Sequence, residues 1–289
     1  MTDCLAILGP GALGLSTAQW AAECGLEVRL LGRDLAHAHH GLQEVERRWK
    51  AALEKGTLSP EAHGHARTRI HAAPFGPKAM EHVNIFLEAL PEDPAVKAPA
   101  LAEAARWGAA NLLLLSGTSA LPISGLAEAA RIPGRLLGFH LFVPVPRMAV
   151  AEVAVPPGAT PDLLARARTL GLALRKRVVV VRDQPGFAAA RMALAQGLEA
   201  MRLLEAEVAT AEDLDALMTL GYGHPAGPLE LSDRVGLDLR LRIAEGLFQS
   251  SGDARYEPPA LLRQLVARGE TGRKAGKGFY SWDPDGRRR

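Results

Sequence analysis

Two kinds of apolar pattern alternate between residues 4 and 181 of the chain. Short runs that are almost continuously apolar predict buried strands, and longer stretches with apolar residues at helical spacing predict helices. The predicted strands are residues 4–9, 27–31, 68–71, 83–87, 112–115, 136–142, 149–155 and 177–181. The predicted helices are a stretch ending at Glu23 and residues 35–55, 94–107 and 161–174, with a further short helix capped at Ser59. Strands that alternate with helices in this way are typical of a doubly wound sheet.

The pattern changes after residue 182. Residues 186–208 have helical spacing with long apolar coverage, and helices broken by glycine or proline continue to about Arg268 without a convincing strand. The segment Asp183-Gln-Pro-Gly186 marks the change. We therefore predict an α/β domain over residues 1–182 and an all-α C-terminal domain over residues 183–289.

Composition argues against several classes of function. The 289 residues are 48% hydrophobic, which suffices for two cores, and the net charge of +2 is spread along the chain, so a nucleic-acid surface is not expected. No apolar run reaches the roughly 18 residues of a membrane span. Met1 leads almost directly into a strand, without a charged and apolar leader. These features predict a soluble, cytoplasmic protein.

The cysteines and histidines do not predict a metal site. Cys4 lies in the first strand and Cys24 near the end of the first helix, without metal-ligand spacing, so both are expected to be small buried residues. His37, His39 and His40 cluster in a polar helical stretch, but the sequence places no cysteine or carboxylate at ligand spacing from them.

A glycine turn follows the first strand at once, in the order strand, turn, helix. Gly9 permits a tight turn, Gly11 lets the backbone approach a pyrophosphate, and Gly14 lets the helix pack against the strand. The N-terminus of a helix also attracts phosphate charge. This order is that of a Rossmann-type dinucleotide-binding domain, and the backbone expected to bind the cofactor is that of Gly9, Gly11, Ala12, Leu13 and Gly14.

The end of the second predicted strand bears on the choice between NAD and NADP. A carboxylate at this position normally binds the adenosine ribose and repels a 2′-phosphate, but here the position is Gly32 and a guanidinium follows at Arg33. We therefore favour NADP, with Arg33 binding its 2′-phosphate. In the alternative, Arg33 stacks on adenine or faces solvent, and Asp34 binds the ribose.

A histidine and a carboxylate lie on two consecutive predicted strands, His140 on the first and Glu152 on the second. The Pro-x-Pro corner at 144–146 forbids continuous pairing, so the chain is expected to fold back there. A carboxylate that binds one imidazole nitrogen leaves the other free to accept or donate a proton near neutral pH. The pair is therefore a candidate acid-base catalyst. A buried histidine held by a salt bridge would have the same sequence pattern.

The chain resembles the 3-hydroxyacyl-CoA dehydrogenase family nearly from end to end. Six blocks of sequence besides the glycine turn carry the resemblance, and the last three are specific to the helical domain of that family. The blocks are residues 87–93 with Lys97, 117–122, 138–153, 184–187 with Arg191, 220–238 and 272–280.

The resemblance implies the interconversion of a 3-hydroxyacyl-CoA and its 3-ketoacyl-CoA with a nicotinamide cofactor. In this interpretation His140 is the general base on the 3-hydroxyl, Glu152 orients His140, and Ser119 binds the substrate oxygen. Ser119 follows the strand at 112–115, and strand ends are where open parallel sheets place ligands.

The resemblance also implies contacts outside this triplet. Glu92, Lys97 and Lys274 correspond to positions that contact the cofactor in relatives. Basic residues of the predicted helix at 35–55 either lie near the CoA nucleotide or form an ordinary solvated face. These residues are Arg47, Arg48, Lys50 and Lys55. Relatives commonly dimerise through the helical domain. The apolar stretch at 186–208 is compatible with a homodimer and equally with an ordinary core.

Three positions depart from the family pattern. The family usually has asparagine where this chain has Gly117, Val143 and Ala190. Each exchange removes an amide that could bind substrate or nicotinamide, so a more apolar pocket is expected. Two alternatives therefore stay open: a dehydrogenase of the same fold that acts on a non-CoA hydroxyacid of the sugar-acid or ketopantoate type, and a cofactor-binding protein that has lost turnover.

Overall fold

The computed structural model describes residues 4–289. The chain divides into two compact units, of which the first ends at Phe187 and the second runs from Ala188 to Arg289. The first unit contains all the named strands, and the second is built from helices. The predicted α/β domain followed by an all-α domain is therefore confirmed as a fold class. Along the described residues, no helix combines the length and the apolarity needed to cross a bilayer.

One eight-stranded sheet organises the first unit. Its strands are β1 (Cys4–Leu8), β2 (Glu27–Gly32), β3 (Ile70–Pro74), β4 (Ile85–Glu88), β5 (Leu113–Ser116), β6 (Leu136–Leu141), β7 (Val150–Val155) and β8 (Arg177–Arg182). Their spatial order is β3-β2-β1-β4-β5-β6-β7-β8. Every neighbouring pair is parallel except β6 and β7, which are antiparallel.

Helices cover both faces of this sheet. They are α1 (Ala12–Glu23), α2 (Leu35–Glu54), α3 (Pro60–Arg67), α4 (Pro94–Trp107), α5 (Ile123–Ala129) and α6 (Pro161–Ala173). Successive side chains of a strand point to opposite faces, so β1 contributes to two separate cores. Leu5 and Ile7 pack in one core, and Ala6 and Leu8 pack in the other. Burial on both faces explains why the central strands are almost continuously apolar.

Three helices of the first unit begin with a capping side chain followed by proline. Ser59 accepts a hydrogen bond from the Ala62 amide at the start of α3, as the sequence predicts. The side chains of Asp93 and Thr160 cap α4 and α6 in the same way. Such caps satisfy amides that lack a partner inside the helix, and proline suits the first helical position because its missing N–H would have no partner there.

Two predicted strands begin two residues later than the sequence pattern indicates. β3 begins at Ile70 rather than at residue 68, because α3 continues to Arg67 and its last turn is closed by the Arg69 amide bonding to Ala66 O. β4 begins at Ile85 rather than at residue 83, because a 3₁₀ turn at Pro77–Met80 precedes it. The Val83 amide bonds to Met80 O and so belongs to that turn. The sequence pattern also missed this turn and α5.

Five α-helices form the second unit. They are α7 (Ala189–Glu205), α8 (Ala211–Ala216), α9 (Pro228–Val235), α10 (Leu237–Ser251) and α11 (Ala260–Ala267), with a π-helical turn at Leu217–Gly221. Their core contains Leu198, Met201, Leu229 and Leu237 among others. Within residues 188–289 the β-type pairing is limited to isolated bridges near the C-terminus.

A buried carboxylate ties the C-terminal segment of the second unit to α9. Asp233 accepts hydrogen bonds from the Phe279 amide at 3.0 Å, the Tyr280 amide at 2.9 Å and the Trp282 indole at 2.9 Å. Burial raises the pKa of this carboxyl group, while the three donors act in the opposite direction. Gly278 is required here because a Cβ at that position would lie 2.1 Å from Asp233 Oδ1.

We expect Asp233→Asn to lower the free energy of unfolding by about 1–3 kcal/mol, because an amide nitrogen in place of an oxygen leaves at least one buried N–H without an acceptor. Trp282→Phe removes a single donor and should cost about 1 kcal/mol. The measurement is chemical denaturation of the second unit within the full chain. Asp285→Asn makes the same exchange at an exposed position and should change stability by less than about 0.5 kcal/mol. Equal losses in the two Asp→Asn variants would contradict the role of Asp233.

Candidate active site

The antiparallel strands β6 and β7 bring His140 and Glu152 together. The two residues are directly opposite each other in the strand register. The imidazole Nδ1 lies 3.1 Å from Glu152 Oε2, with 12% of the histidine side chain and 4% of the carboxylate side chain exposed. A carboxylate at this distance favours the tautomer with the proton on Nδ1, which leaves Nε2 as a proton acceptor. This is the geometry of an oriented general base.

Aromatic side chains surround the imidazole. The ring centroid of Phe142 lies 4.5 Å from that of His140, and the centroid of Phe187 lies 6.5 Å away. These rings limit the access of water to the imidazole, so polar interactions at the ring are strengthened relative to water. Val143, which follows Phe142, is 48% exposed.

The glycine turn after β1 combines tight packing with one open position. A Cβ at Gly9 would lie 2.6 Å from Ala89 O, and one at Gly14 would lie 1.9 Å from Gly9 O, so both positions exclude a side chain. A Cβ at Gly11 would meet nothing within 4 Å. Gly11 precedes α1, whose first turn contains Ala12 and Leu13. Within the described part of the chain, no side chain caps the start of α1, so the amides of its first turn are left for a ligand such as a phosphate group.

The end of β2 also excludes a side chain at Gly32. A Cβ there would lie 2.6 Å from the Ala38 amide nitrogen on α2. The neighbouring Asp34 caps α2 by accepting a hydrogen bond from the His37 amide at 2.7 Å, and this bond holds the pKa of the carboxyl below its usual value. Arg33 is 82% exposed on its side chain. Arg33 Nε lies 3.4 Å from Asp34 Oδ2, and 55% of the Asp34 side chain is exposed. A guanidinium and a carboxylate are therefore both exposed beside this strand end.

Glu92 organises the loop that carries Ser119. One of its carboxylate oxygens accepts hydrogen bonds from Thr118 Oγ1 at 2.6 Å and from the amides of Ser119 and Ala120 at 3.0 and 3.1 Å. The Ser119 hydroxyl lies 3.4 Å from the same oxygen. The structure thus joins two of the predicted site residues through the backbone of the Ser119 loop.

Lys97 lies beneath this loop in a buried polar network. Its ammonium is 2.8 Å from Glu88 Oε1, 3.0 Å from Leu90 O and 3.3 Å from Glu92 Oε2, with 1% of the side chain exposed. Glu88 also accepts a hydrogen bond from Ser116 Oγ at 2.6 Å. The ammonium has three N–H donors and three oxygen neighbours, so a direct contact with the cofactor would require it to give up one of them.

The sequence pattern did not identify Glu88, Ser116 and Thr118 as parts of this network. One sequence feature could have indicated this network: Glu88 is a carboxylate that directly follows a predicted buried apolar strand. In the structure Glu88 ends β4 and is fully buried. Charged residues at such positions are almost never fully buried without a partner.

The remaining predicted contacts lie on α2 and in the second unit. Arg47 and Arg48 pair with Glu44 on the same helix, at 2.7 and 3.3 Å. Lys50 and Lys55 are exposed. In the second unit, Lys274 pairs with Asp238 at 2.7 Å.

The cysteines differ from the sequence-based expectation of burial. Cys4 and Cys24 are only partly buried, and burial raises the pKa of each thiol. Cys4 is in β1, and Cys24 follows the last residue of α1. Over residues 4–289, no group of three or more histidine, cysteine, aspartate or glutamate side chains could hold a metal ion.

Gly117 is the departure from the family pattern that the first unit explains most directly. A Cβ at this position would lie 2.6 Å from Leu13 Cδ2 and 3.1 Å from Glu88 O. An asparagine side chain would therefore compete for space with Leu13 of the glycine turn. Close packing therefore links the glycine at position 117, which lacks the asparagine amide, to the leucine at position 13.

A doubly wound sheet with a glycine turn after its first strand defines the class of dinucleotide-binding proteins. Residues 4–184 match the NAD-binding domain of 3-hydroxyacyl-CoA dehydrogenase, and residues 186–282 match the C-terminal domain of 3-hydroxyacyl-CoA dehydrogenase. A probable 3-hydroxybutyryl-CoA dehydrogenase of Bacillus subtilis is 35% identical over 281 residues, which are 96% of each chain.

Solved structures agree with this match. The structure of (S)-3-hydroxybutyryl-CoA dehydrogenase from Ralstonia eutropha is 30% identical and superposes with a TM-score of 0.93, covering 98% of this chain and 100% of that one. The structure of FadB2 from Mycobacterium tuberculosis is 32% identical, with a TM-score of 0.91 and coverage of 96% and 98%. The chain belongs to the 3-hydroxyacyl-CoA dehydrogenase family of oxidoreductases, and its NAD-binding domain implies a nicotinamide cofactor.

We expect Gly117→Asn to destabilise the first unit by about 1–3 kcal/mol, because the added side chain overpacks the space held by Leu13. In a Leu13→Ala background the same exchange should cost less by about 1 kcal/mol or more. Denaturation of the wild type, both single variants and the double variant forms the complete cycle. Strictly additive costs would show that Leu13 does not limit the space at Gly117.

Proposed function

We propose that this protein interconverts a 3-hydroxyacyl-CoA and its 3-ketoacyl-CoA by hydride transfer, with His140 as the general base. The observation that carries the proposal is the 3.1 Å contact between His140 Nδ1 and Glu152 Oε2, made by residues that face each other across β6 and β7. Membership of the family and the names of its relatives support the substrate class.

The proposed mechanism divides the reaction between proton and hydride. Glu152 keeps the proton on His140 Nδ1, so Nε2 is free to accept the proton of the substrate hydroxyl. Hydride leaves the carbon that bears this hydroxyl and passes to the cofactor. The imidazolium that forms is stabilised by the adjacent carboxylate. Ser119 donates a hydrogen bond to the substrate oxygen, from a loop that Glu92 holds in place. When bound, the nicotinamide supplies the hydride acceptor, or the hydride donor in the reverse direction.

A second candidate is a dehydrogenase that acts on a non-CoA hydroxyacid. It is favoured by positions 117 and 143, where glycine and valine replace the asparagines that are usual in the family. The loss of one polar contact to the transition state can cost about 10²–10³-fold in rate. A substrate without the thioester carbonyl would not need those amides.

Replacement of the histidine tests the first candidate. We expect His140→Ala to lower kcat for acetoacetyl-CoA reduction by about 10²–10⁴-fold, because the general acid-base group is lost. Glu152→Gln should give a smaller loss, because the imidazole remains but its orientation and the stabilisation of its cation weaken. The measurement is the oxidation of NADH and NADPH followed by absorbance.

His65→Ala provides the matched control, since His65 is an exposed histidine on α3 and its loss should leave kcat unchanged. A rate for His140→Ala equal to that of the wild type would reject the proposed base. Turnover of ketopantoate or gulonate without turnover of the thioester would favour the second candidate. Tight cofactor binding without any turnover would indicate a protein that has lost catalysis.

We further propose that NADP is the preferred cofactor, because Gly32 carries no carboxylate and Arg33, which is 82% exposed, would exchange its exposed ion pair with Asp34 for a 2′-phosphate. Arg33→Ala should weaken NADPH binding by about 10-fold or more and NADH binding by much less. Titration of the intrinsic fluorescence with each cofactor measures both constants. Arg168→Ala, an exposed arginine on α6, is the control. Equal losses for the two cofactors after Arg33→Ala would overturn the phosphate assignment.

A homodimer through the second unit belongs to the same proposal. Several large apolar side chains of this unit are exposed. They are Met192, Val208, Leu217, Leu220 and Tyr222. Such side chains are candidates for an interaction surface.

A further inference from the structure

Lys176 is a buried cation that the proposed mechanism does not use. It immediately precedes β8, and only 3% of the residue is exposed. Its ammonium donates to Val145 O at 2.6 Å and to Met148 O at 2.7 Å. It also lies 4.7 Å from the centroid of the Trp20 ring. Among residues 4–289 no carboxylate lies within 4.0 Å of the ammonium.

A lysine in this position is costly to the fold. Burial lowers the pKa of Lys176, because the ammonium is removed from water. A methionine or leucine could fill similar space without that cost, since replacing buried ions by apolar residues is often neutral or stabilising. The ammonium nevertheless donates hydrogen bonds to two carbonyl groups of one short segment. We therefore explain the buried lysine by the need to hold this segment in place.

The segment is the corner between the two strands that carry the candidate catalytic pair. Residues 142–149 connect β6 to β7. Between the pair His140–Glu152 and the corner, β6 and β7 form only one further residue pair, Leu141 with Ala151. The ladder itself therefore gives little restraint there. The orientation of the corner has to be set by contacts from outside the two strands.

Those outside contacts converge on Val145. Its amide donates to Ser16 Oγ on α1 at 2.9 Å, and its carbonyl accepts from Lys176. The Trp20 ring beneath the ammonium is itself fixed, because its indole donates to Leu174 O at 2.6 Å. Through these contacts, Lys176 and Trp20 join α1, the end of α6 and the corner in one buried cluster.

We propose that Lys176 is a positioning residue: it holds the 142–149 corner so that Glu152 stays against the Nδ1 atom of His140. The proposal rests on the proposed function for the catalytic meaning of that contact. The contact itself can be measured without turnover. Loss of the ammonium releases both carbonyls at once. The corner and the adjacent end of β7 can then shift relative to β6, while β7 stays paired with β8.

The test uses Lys176→Met, which keeps the length and apolar stem of the side chain but removes every donor. Leu170→Ala is the control, because Leu170 is a buried residue of α6 in the same core and its side chain has no donor for the carbonyls of the corner. Its replacement should cost about 2–5 kcal/mol by creating a cavity. Comparison of the two variants separates positioning from stability.

The decisive readout is the pair of ring ¹⁵N chemical shifts of His140, which report the nitrogen that carries the proton. In the wild type we expect the Nδ1–H tautomer, and in Lys176→Met a mixture of tautomers. Leu170→Ala should keep the wild-type shifts while its Tm falls. In turnover, kcat of Lys176→Met should fall by about 10–10²-fold with KM for NADH within about two-fold of the wild type.

Unchanged ring shifts in Lys176→Met, together with a lower Tm like that of Leu170→Ala, would overturn the proposal and leave Lys176 as an ordinary core residue. If Lys176→Met does not fold, Lys176→Leu, which also lacks every donor, replaces it, with the same expected change in the ring shifts. A wild type that does not turn over any thioester would contradict the proposed function. The ring shifts would still decide the role of Lys176 in that case.

Discussion

The candidate site depends on one antiparallel strand pair in an otherwise parallel sheet. A parallel pair needs a long crossover between its strands, whereas an antiparallel pair can place two residues of a short sequence separation directly opposite each other. Here twelve positions separate His140 from Glu152, and the reversal of β6 into β7 makes them neighbours. The contact between the imidazole and the carboxylate favours the tautomer with the proton on Nδ1, in which Nε2 is a proton acceptor.

The other half of the site is shaped by the exclusion of side chains. Gly9, Gly14 and Gly32 each lie where a Cβ would collide with backbone atoms, and Gly117 lies where it would collide with Leu13. The ends of β2, β1, β4 and β5 are consecutive in the sheet. The close packing leaves no room for a carboxylate at the end of β2, and little room at the end of β5 for the amide that is usual in the family.

Buried ionised groups connect these two halves to the rest of the first unit. Lys97 links Glu88 to Glu92 beneath the Ser119 loop, and Lys176 binds the carbonyls of the 142–149 corner. Each lysine gives up hydration that an apolar residue would not need, so each is better explained by the geometry it maintains than by a gain in stability. One loop carries Ser119, and the other connects the strands that carry His140 and Glu152.

The amino-acid sequence by itself determined the alternation of strands and helices, the glycine turn, the helical second half and the candidate pair His140 and Glu152. These features depend on local periodicity and on short motifs, which are readable without a structure. Tertiary structure alone decided that Glu88, Ser116 and Thr118 form one network with Lys97, and that Lys176 reaches a corner some thirty residues before it in the chain. Such contacts join residues far apart in sequence, and no local pattern encodes which distant carbonyl or carboxylate a buried charge will meet.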